Sequence, residues 1–337
     1  MSKVELHHIW KIFGPNPQHM FKTMDHEASR AELLSETGHV VAVRDVSLTV
    51  AEGEIFVVMG LSGSGKSTLI RCLSRLIEPT SGQVLINQAD VTAMTADELR
   101  ELRRHTVSMV FQRFGLFPHR RVIDNVGYGL EVRGMAASER QKKAQEVLEL
   151  VGLQGWERHY PHELSGGMQQ RVGLARALAV DPEIMLCDEP FSALDPLIRR
   201  DMQNELLHLQ KALRKTIIFI THDFLEALKL GDRIAIMKDG VIVQGGTPQQ
   251  IVAHPVNEYV REFTRDVPRA KVLTAAEVMQ PDTTHPTVDQ VLHSTTLEKL
   301  IPLVLDLNDK RLAVTNDAGE LIGTLDRNAV LLALAGG

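Results

Sequence analysis

Residues 54–68 read Glu54-Ile55-Phe56-Val57-Val58-Met59-Gly60-Leu61-Ser62-Gly63-Ser64-Gly65-Lys66-Ser67-Thr68. The first part ends in five apolar residues, the pattern of a strand buried in a parallel sheet. Gly60 to Ser67 then fits G-x-x-x-x-G-K-[ST], and a helix is expected from about Gly65 to Leu76. The glycines let backbone N–H groups turn inward toward phosphate oxygens, and the helix N-terminus adds partial positive charge. Lys66 is expected to reach the β- and γ-phosphates, and the Ser67 hydroxyl to ligate Mg²⁺. The candidate nucleotide-binding set is therefore Gly60, Ser62, Gly63, Ser64, Gly65, Lys66, Ser67 and Thr68.

Further along, Ile184-Met185-Leu186-Cys187 leads into Asp188-Glu189. Ligands in parallel α/β sheets sit at the C-terminal ends of the strands. Asp188 is expected to hold Mg²⁺, and Glu189 to polarise an attacking water as an ionised carboxylate. Cys187 alternates with these acids and is expected in the core.

A second anion site is suggested by Leu164-Ser165-Gly166-Gly167-Met168-Gln169-Gln170-Arg171. Ser165 reads as an N-cap. The two glycines after it leave backbone amides bare at a helix start. One nucleotide needs only one such helix start. Two in one chain imply a head-to-tail dimer, with each nucleotide between the phosphate loop of one copy and Ser165-Gly166-Gly167 of the other.

The rest of the chain supports an α/β core with a mainly parallel sheet. A short strand and turn are expected at 4–14, further strands at 43–50, 83–87, 107–111, 183–188, 216–221, 233–237 and 241–244, and helices at 139–151, 165–179, 197–214 and 223–230. Val43 to Val50 alternates like a half-buried strand. In 15–39, Met20, Met24, Ala28, Ala31 and Leu34 recur at helical spacing, so a short helix is expected there. At Arg265-Asp266-Val267-Pro268-Arg269 the chain turns polar, and a domain boundary is placed near 265, giving a first domain of 1–265 and a small tail of 266–337.

Composition bounds the function. The chain has 337 residues, 44% hydrophobic and 24% charged, an ordinary globular balance. A net charge of −6 and 4% aromatics disfavour a nucleic-acid partner. Two cysteines, Cys72 and Cys187, give no disulfide framework. No apolar run approaches the roughly 20 residues of a membrane span, and Met1 to Leu6 lacks a signal-peptide core. A cytoplasmic location is expected, with any membrane role arising through partner subunits.

Together, the phosphate loop, the Leu164-Ser165-Gly166-Gly167 signature and the Asp188-Glu189 pair resemble the nucleotide-binding subunits of ABC transporters, over roughly residues 4–265. The resemblance implies an ABC-type P-loop core with a helical signature subdomain at about 115–180. It implies ATP and Mg²⁺ as ligands, a homodimer, transmembrane permease subunits and an extracytoplasmic binding protein. It also implies a peripheral place on the cytoplasmic face of the inner membrane. Gln112 matches the glutamine that touches Mg²⁺ or the attacking water. Ser192-Ala193-Leu194-Asp195 matches the loop that crosses the dimer interface. His222 matches the histidine that contacts the γ-phosphate. Phe13, in Lys11-Ile12-Phe13-Gly14, matches the aromatic residue that stacks on adenine. Met168 departs from the usual Gln, while Ser165 and Gly167 remain.

A narrower resemblance points to importers of glycine betaine, proline or choline. It rests on Glu36-Thr37-Gly38, Met59-Gly60-Leu61-Ser62, Phe114-Gly115-Leu116-Phe117-Pro118-His119-Arg120, Asp124-Asn125-Val126 and Gly129-Leu130-Glu131. Importers of other solutes and soluble ABC ATPases are the alternatives. The tail resembles a single CBS motif, beginning at Ala275-Ala276-Glu277-Val278-Met279 and ending within Leu312 to Leu334. The Thr/Ser and Asp that such motifs turn toward adenosine ligands fall near positions held by Asp326 and Ala329. A dimer-packing role is therefore expected of the tail.

Overall fold

The computed structural model describes residues 2–112, 115–192, 194–281, 287–305 and 311–335. Phe114 and Ala193, named above within motifs, lie outside these. The chain divides into two compact units, Met1–Ile242 and Val243–Gly337.

The strands of the first unit are β1 (Ser2–Phe13), β2 (Val40–Ala51), β3 (Ile55–Met59), β4 (Ser81–Ile86), β5 (Ala89–Asp90), β6 (Val107–Val110), β7 (Ile184–Asp188), β8 (Thr216–Thr221) and β9 (Arg233–Lys238), with β10 (Val241–Gly246) leading out of it. They form two sheets. One has the order β10-β9-β3-β8-β7-β6. Its strands β9, β3, β8, β7 and β6 run parallel. Every residue of β3, β7 and β8 is buried, because helices cover both faces of a parallel sheet. The other sheet, β2-β1-β4-β5, is antiparallel. It was not expected as a separate sheet. The alternation in β2 is its signature: antiparallel sheets leave one face half open.

The insertion 15–39 is two helices, Pro17–Thr23 and Arg30–Thr37, rather than one. Asp25 accepts from the Glu27 N–H at 2.9 Å, forming a turn, and Ser29 with Glu32 restarts the helix through a reciprocal capping box. The break shifts the helical phase. Leu33 is buried while Leu34, on the expected stripe, is exposed.

Residues 115–180 hold helices Val122–Val126, Tyr128–Val132, Ala137–Leu150 and Gly166–Ala179. Val126, Leu130, Leu148, Val151, Val172 and Ala175 are buried at 0% exposure. Asn125 is also fully buried; its amide donates to the carbonyls of Phe117, Arg120 and Arg121 and accepts from the Phe117 N–H.

The second unit carries helices Pro248–Ala253, Glu258–Thr264, Leu297–Leu305 and Arg327–Ala335, and a sheet of β11 (Thr287–Leu292), β12 (Arg311–Thr315) and β13 (Leu321–Leu325). The division by packing falls at 242/243, ahead of the polar stretch at 265, because Pro248–Ala253 packs on Glu258–Thr264, Arg269–Val272 and Ala275–Val278.

Cys72 and Cys187 are buried, and desolvation pushes both thiols up to about 12. A thiol reagent at neutral pH is expected to modify neither in the native protein and both after denaturation. Native labelling at the denatured rate would contradict this burial.

Candidate active site

The phosphate loop leaves β3 at Met59 and enters helix Lys66–Leu73. Gly60 and Gly65 are the two positions that fix its path. They have φ of 152° and 106°, and an added Cβ would lie 2.2 Å from the carbonyl oxygens of Met237 and Ala42 respectively. Only glycine fits there. Inside the loop the buried Ser64 hydroxyl has no partner among the described residues.

Lys66 is 4% exposed. Its ammonium donates to Gly60 O at 2.7 Å and Leu61 O at 3.0 Å and lies 3.8 Å from Glu189 Oε1. Burial holds its pKa below the ordinary lysine value, against the pull of Glu189 and Asp188. The loop thus carries a desolvated cation whose partners are acceptors that phosphate oxygens can replace.

The end of β7 supplies the acids. Asp188, buried, accepts from Ser67 Oγ at 2.7 Å and pairs with Arg71 Nη2 at 3.1 Å. Glu189 Oε2 lies 3.0 Å from His222 Nδ1 at the end of β8. Glu189 has a φ of 46°, a left-handed conformation that a side-chain-bearing residue adopts at a cost of about 1–3 kcal/mol. Its N–H donates to Ile220 O at 3.1 Å. This bond holds the carboxylate turned between Lys66 and His222. Gln112, just past β6, donates to Ser192 Oγ at 3.4 Å, and that hydroxyl donates to Glu189 O at 3.1 Å.

Lys66, Ser67, Gln112, Glu189 and His222 share one cavity of about 620 Å³. Of the residues singled out by sequence, Ser62, Gly63, Gly65, Lys66, Ser67 and Thr68 line it, with Gln112, Glu189, His222 and Phe13. Phe13 is 40% exposed, with Lys11 Nζ 4.9 Å from its ring centroid. Gly60 and Asp188 act one bond away, through Lys66 and Ser67. Among the described residues no group of three or more His, Cys, Asp or Glu side chains could hold a metal unaided. Ser67, Asp188 and Gln112 are the oxygen-bearing side chains here that could hold a Mg²⁺, an ion that takes few protein ligands and completes its shell with phosphates and water.

Ser165, Gly166, Gly167 and Asp195 do not line this cavity. Ser165 Oγ caps helix Gly166–Ala179, accepting from the Met168 N–H at 3.3 Å. Asp195 caps helix Pro196–Leu213, accepting from the N–H groups of Leu197 and Ile198 at 3.1 Å. The two helix starts meet at Gly167, where a Cβ would lie 2.5 Å from Ile198 Cγ2. Gly166 faces open space.

Sequence reading missed Arg30, Val40, Ala42 and Leu61 in the cavity wall, and Arg71 beside Asp188. For Arg30 a signal existed: Ser29-Arg30-Ala31-Glu32 is a capping-box pattern marking a helix start. Nothing local places that helix against the phosphate loop.

Among the described residues no helix is long and apolar enough to cross a membrane. A family model described as ABC transporter matches residues 43–192. The glycine betaine/carnitine transport ATP-binding protein GbuA of Listeria monocytogenes is 56% identical over 279 residues, 83% of this chain and 70% of that protein. The trimethylamine N-oxide transport system ATP-binding protein TmoW of Ruegeria pomeroyi is 50% identical over 329 residues, 97% of this chain and 96% of that protein. The solved dimeric cassette MJ0796, in a post-hydrolysis state bound to ADP and Pi, is similar with a TM-score of 0.61 and 34% identity, covering 72% of this chain and 98% of that one.

Proposed function

The chain belongs to the family of ABC transporter ATP-binding proteins, and from that premise we propose that it hydrolyses ATP to power import of a small quaternary-amine or amine-oxide solute. The observation that carries the reading is the convergence of Lys66, Ser67, Glu189 and His222 in one cavity at the ends of β3, β7 and β8, with Asp188 hydrogen-bonded to Ser67 behind its wall.

The chemistry is positioning and charge neutralisation rather than covalent catalysis. Phosphate oxygens take over the Lys66 ammonium from Gly60 O and Leu61 O. Loop amides from Ser62 to Thr68 add donors, and Phe13 offers its ring to adenine. Mg²⁺, held by Ser67, Asp188 and Gln112, would neutralise charge on the phosphates. Glu189 accepts a proton from the attacking water, and His222 orients Glu189 and reaches the γ-phosphate.

Ser165, Gly166, Gly167 and Asp195 act from the second copy of a head-to-tail homodimer, which accounts for two capped helix starts outside the cavity. Dimer closure on ATP would drive the permease subunits, and an extracytoplasmic binding protein would deliver the solute. The subunit sits peripherally on the cytoplasmic face of the membrane. The tail serves as a CBS-like packing module. Its Asp326 is spent on capping helix Arg327–Ala335, accepting from the Ala329 N–H at 2.8 Å, which leaves that carboxylate engaged rather than offered to an adenosine ligand.

Trimethylamine N-oxide stands with glycine betaine, choline and proline among the candidates, and the near end-to-end match with the relative named for it supports it. The test is ATP-driven uptake of these four labelled solutes in proteoliposomes holding the subunit with its co-purified partners, Glu189→Gln serving as control. Uptake of one solute, abolished by the substitution, is the expected result. Vigorous ATP hydrolysis with none of the four taken up would discard this substrate class.

A further inference from the structure

The inserted segment 15–39 reaches the phosphate loop through one side chain. Arg30, the first residue of helix Arg30–Thr37, donates from Nη1 to Gly63 O at 2.9 Å and lines the same cavity as Lys66. A guanidinium has five N–H donors in a rigid fork. One is spent on the loop carbonyl, and the side chain that carries the others stands in the cavity wall.

The segment is built to hold that arginine still. Met20, Met24 and Leu33 form a buried cluster with Trp10, Ile12 and Val41. Phe21 and His26 meet Trp10 edge to face at 5.4 and 5.1 Å. Arg44 lies over the Trp10 ring and donates to Ala28 O at 2.8 Å and to His26 O, pinning the turn between the two helices. The Ser29–Glu32 capping box then sets the helix start at Arg30: Ser29 N–H donates to Glu32 Oε2 at 2.7 Å, and Glu32 N–H donates to Ser29 Oγ at 3.2 Å. An anchored helix loses little further entropy when its first residue binds a ligand.

We infer that Arg30 is a second cationic contact for the nucleotide's phosphates, beside Lys66, so that the inserted segment forms part of the ATP site. The inference rests on the nucleotide reading above. It selects phosphate over base because the anchoring carbonyl, Gly63 O, belongs to the phosphate loop, while Phe13 is the aromatic group offered to the base. An arginine fork suits phosphate oxygens geometrically as well as by charge.

The experiment is a titration of the full chain with ATP for wild type, Arg30→Gln, Arg30→Lys and Lys66→Ala, at two salt concentrations. Gln keeps a polar amide on a shorter stem and carries no charge. Arg30→Gln is expected to bind ATP about tenfold more weakly, the scale of one charge-assisted hydrogen bond. Its binding should also depend less on salt, and Arg30→Lys should fall between the two. Wild-type affinity in Arg30→Gln, with Lys66→Ala unable to bind, would overturn the role of Arg30 and leave the ATP site intact. Unaltered binding in Lys66→Ala would instead sink the nucleotide reading itself. A weakened Arg30→Gln with unchanged salt dependence would reduce Arg30 to a brace for the loop and overturn the direct contact. An unchanged melting temperature in Arg30→Gln separates a binding defect from unfolding.

Discussion

Replacing Glu189 by Gln is expected to lower steady-state ATP turnover by about 10²–10⁴-fold, the range that a positioned general base supplies, while ATP binding persists. The substitution keeps the length and shape of the side chain. It removes the negative charge that sits 3.0 Å from His222 and 3.8 Å from Lys66. The amide still accepts a hydrogen bond from His222 but cannot take a proton from water. The φ of 46° costs Gln about what it costs Glu, so the loop should hold its path. With ATP bound and uncleaved, the dimer is expected to accumulate. Phosphate release, nucleotide titration and size-exclusion chromatography with ATP check the three parts. Turnover within threefold of wild type would remove Glu189 from the role of base.

Replacing Lys66 by Ala is expected to weaken ATP binding by about 100-fold or more, since several charge-assisted hydrogen bonds to phosphate are lost together. The fold should survive. The Lys66 pKa lies below its ordinary value, chiefly because burial penalises the charged form. A lysine pKa depressed by folding means that the unfolded chain binds the proton more tightly. At neutral pH the charged form then works against folding, and the penalty fades as pH rises through the depressed value toward 10.5. Alanine removes this penalty along with the donors to Gly60 O and Leu61 O. A melting temperature near that of wild type, together with lost nucleotide binding, is the expected pair of results. Micromolar ATP binding retained by Lys66→Ala would count against the phosphate-loop role.

Both predictions were available from short windows of sequence, and the reason is local. A buried parallel strand, a glycine-rich turn and a helix N-terminus are each encoded within a few residues, so Gly60 to Thr68 declares a phosphate loop before any contact is known. Ser165 likewise reads as a cap, because a capping bond spans only two or three residues; the cap made by Asp195 came to light only in the fold. The same locality explains the errors. The stripe Met20, Met24, Ala28, Ala31, Leu34 keeps helical spacing across a break set by Asp25 and Ser29, and spacing alone does not register a change of phase.

What the sequence by itself determined is the chemistry: a phosphate loop, an acid pair after an apolar strand, and a second capped helix start. The tertiary structure decided how these meet. Ser67 reaches Asp188 across 121 positions only because β8 stands between β3 and β7, and both flanking strands end on the same side of the sheet. Arg30 reaches Gly63 only because Trp10 and Arg44 on the antiparallel sheet anchor the insertion. Strand order and the seating of an insertion depend on burial summed over distant residues. No short pattern carries that sum, so these contacts become legible only once the chain is packed.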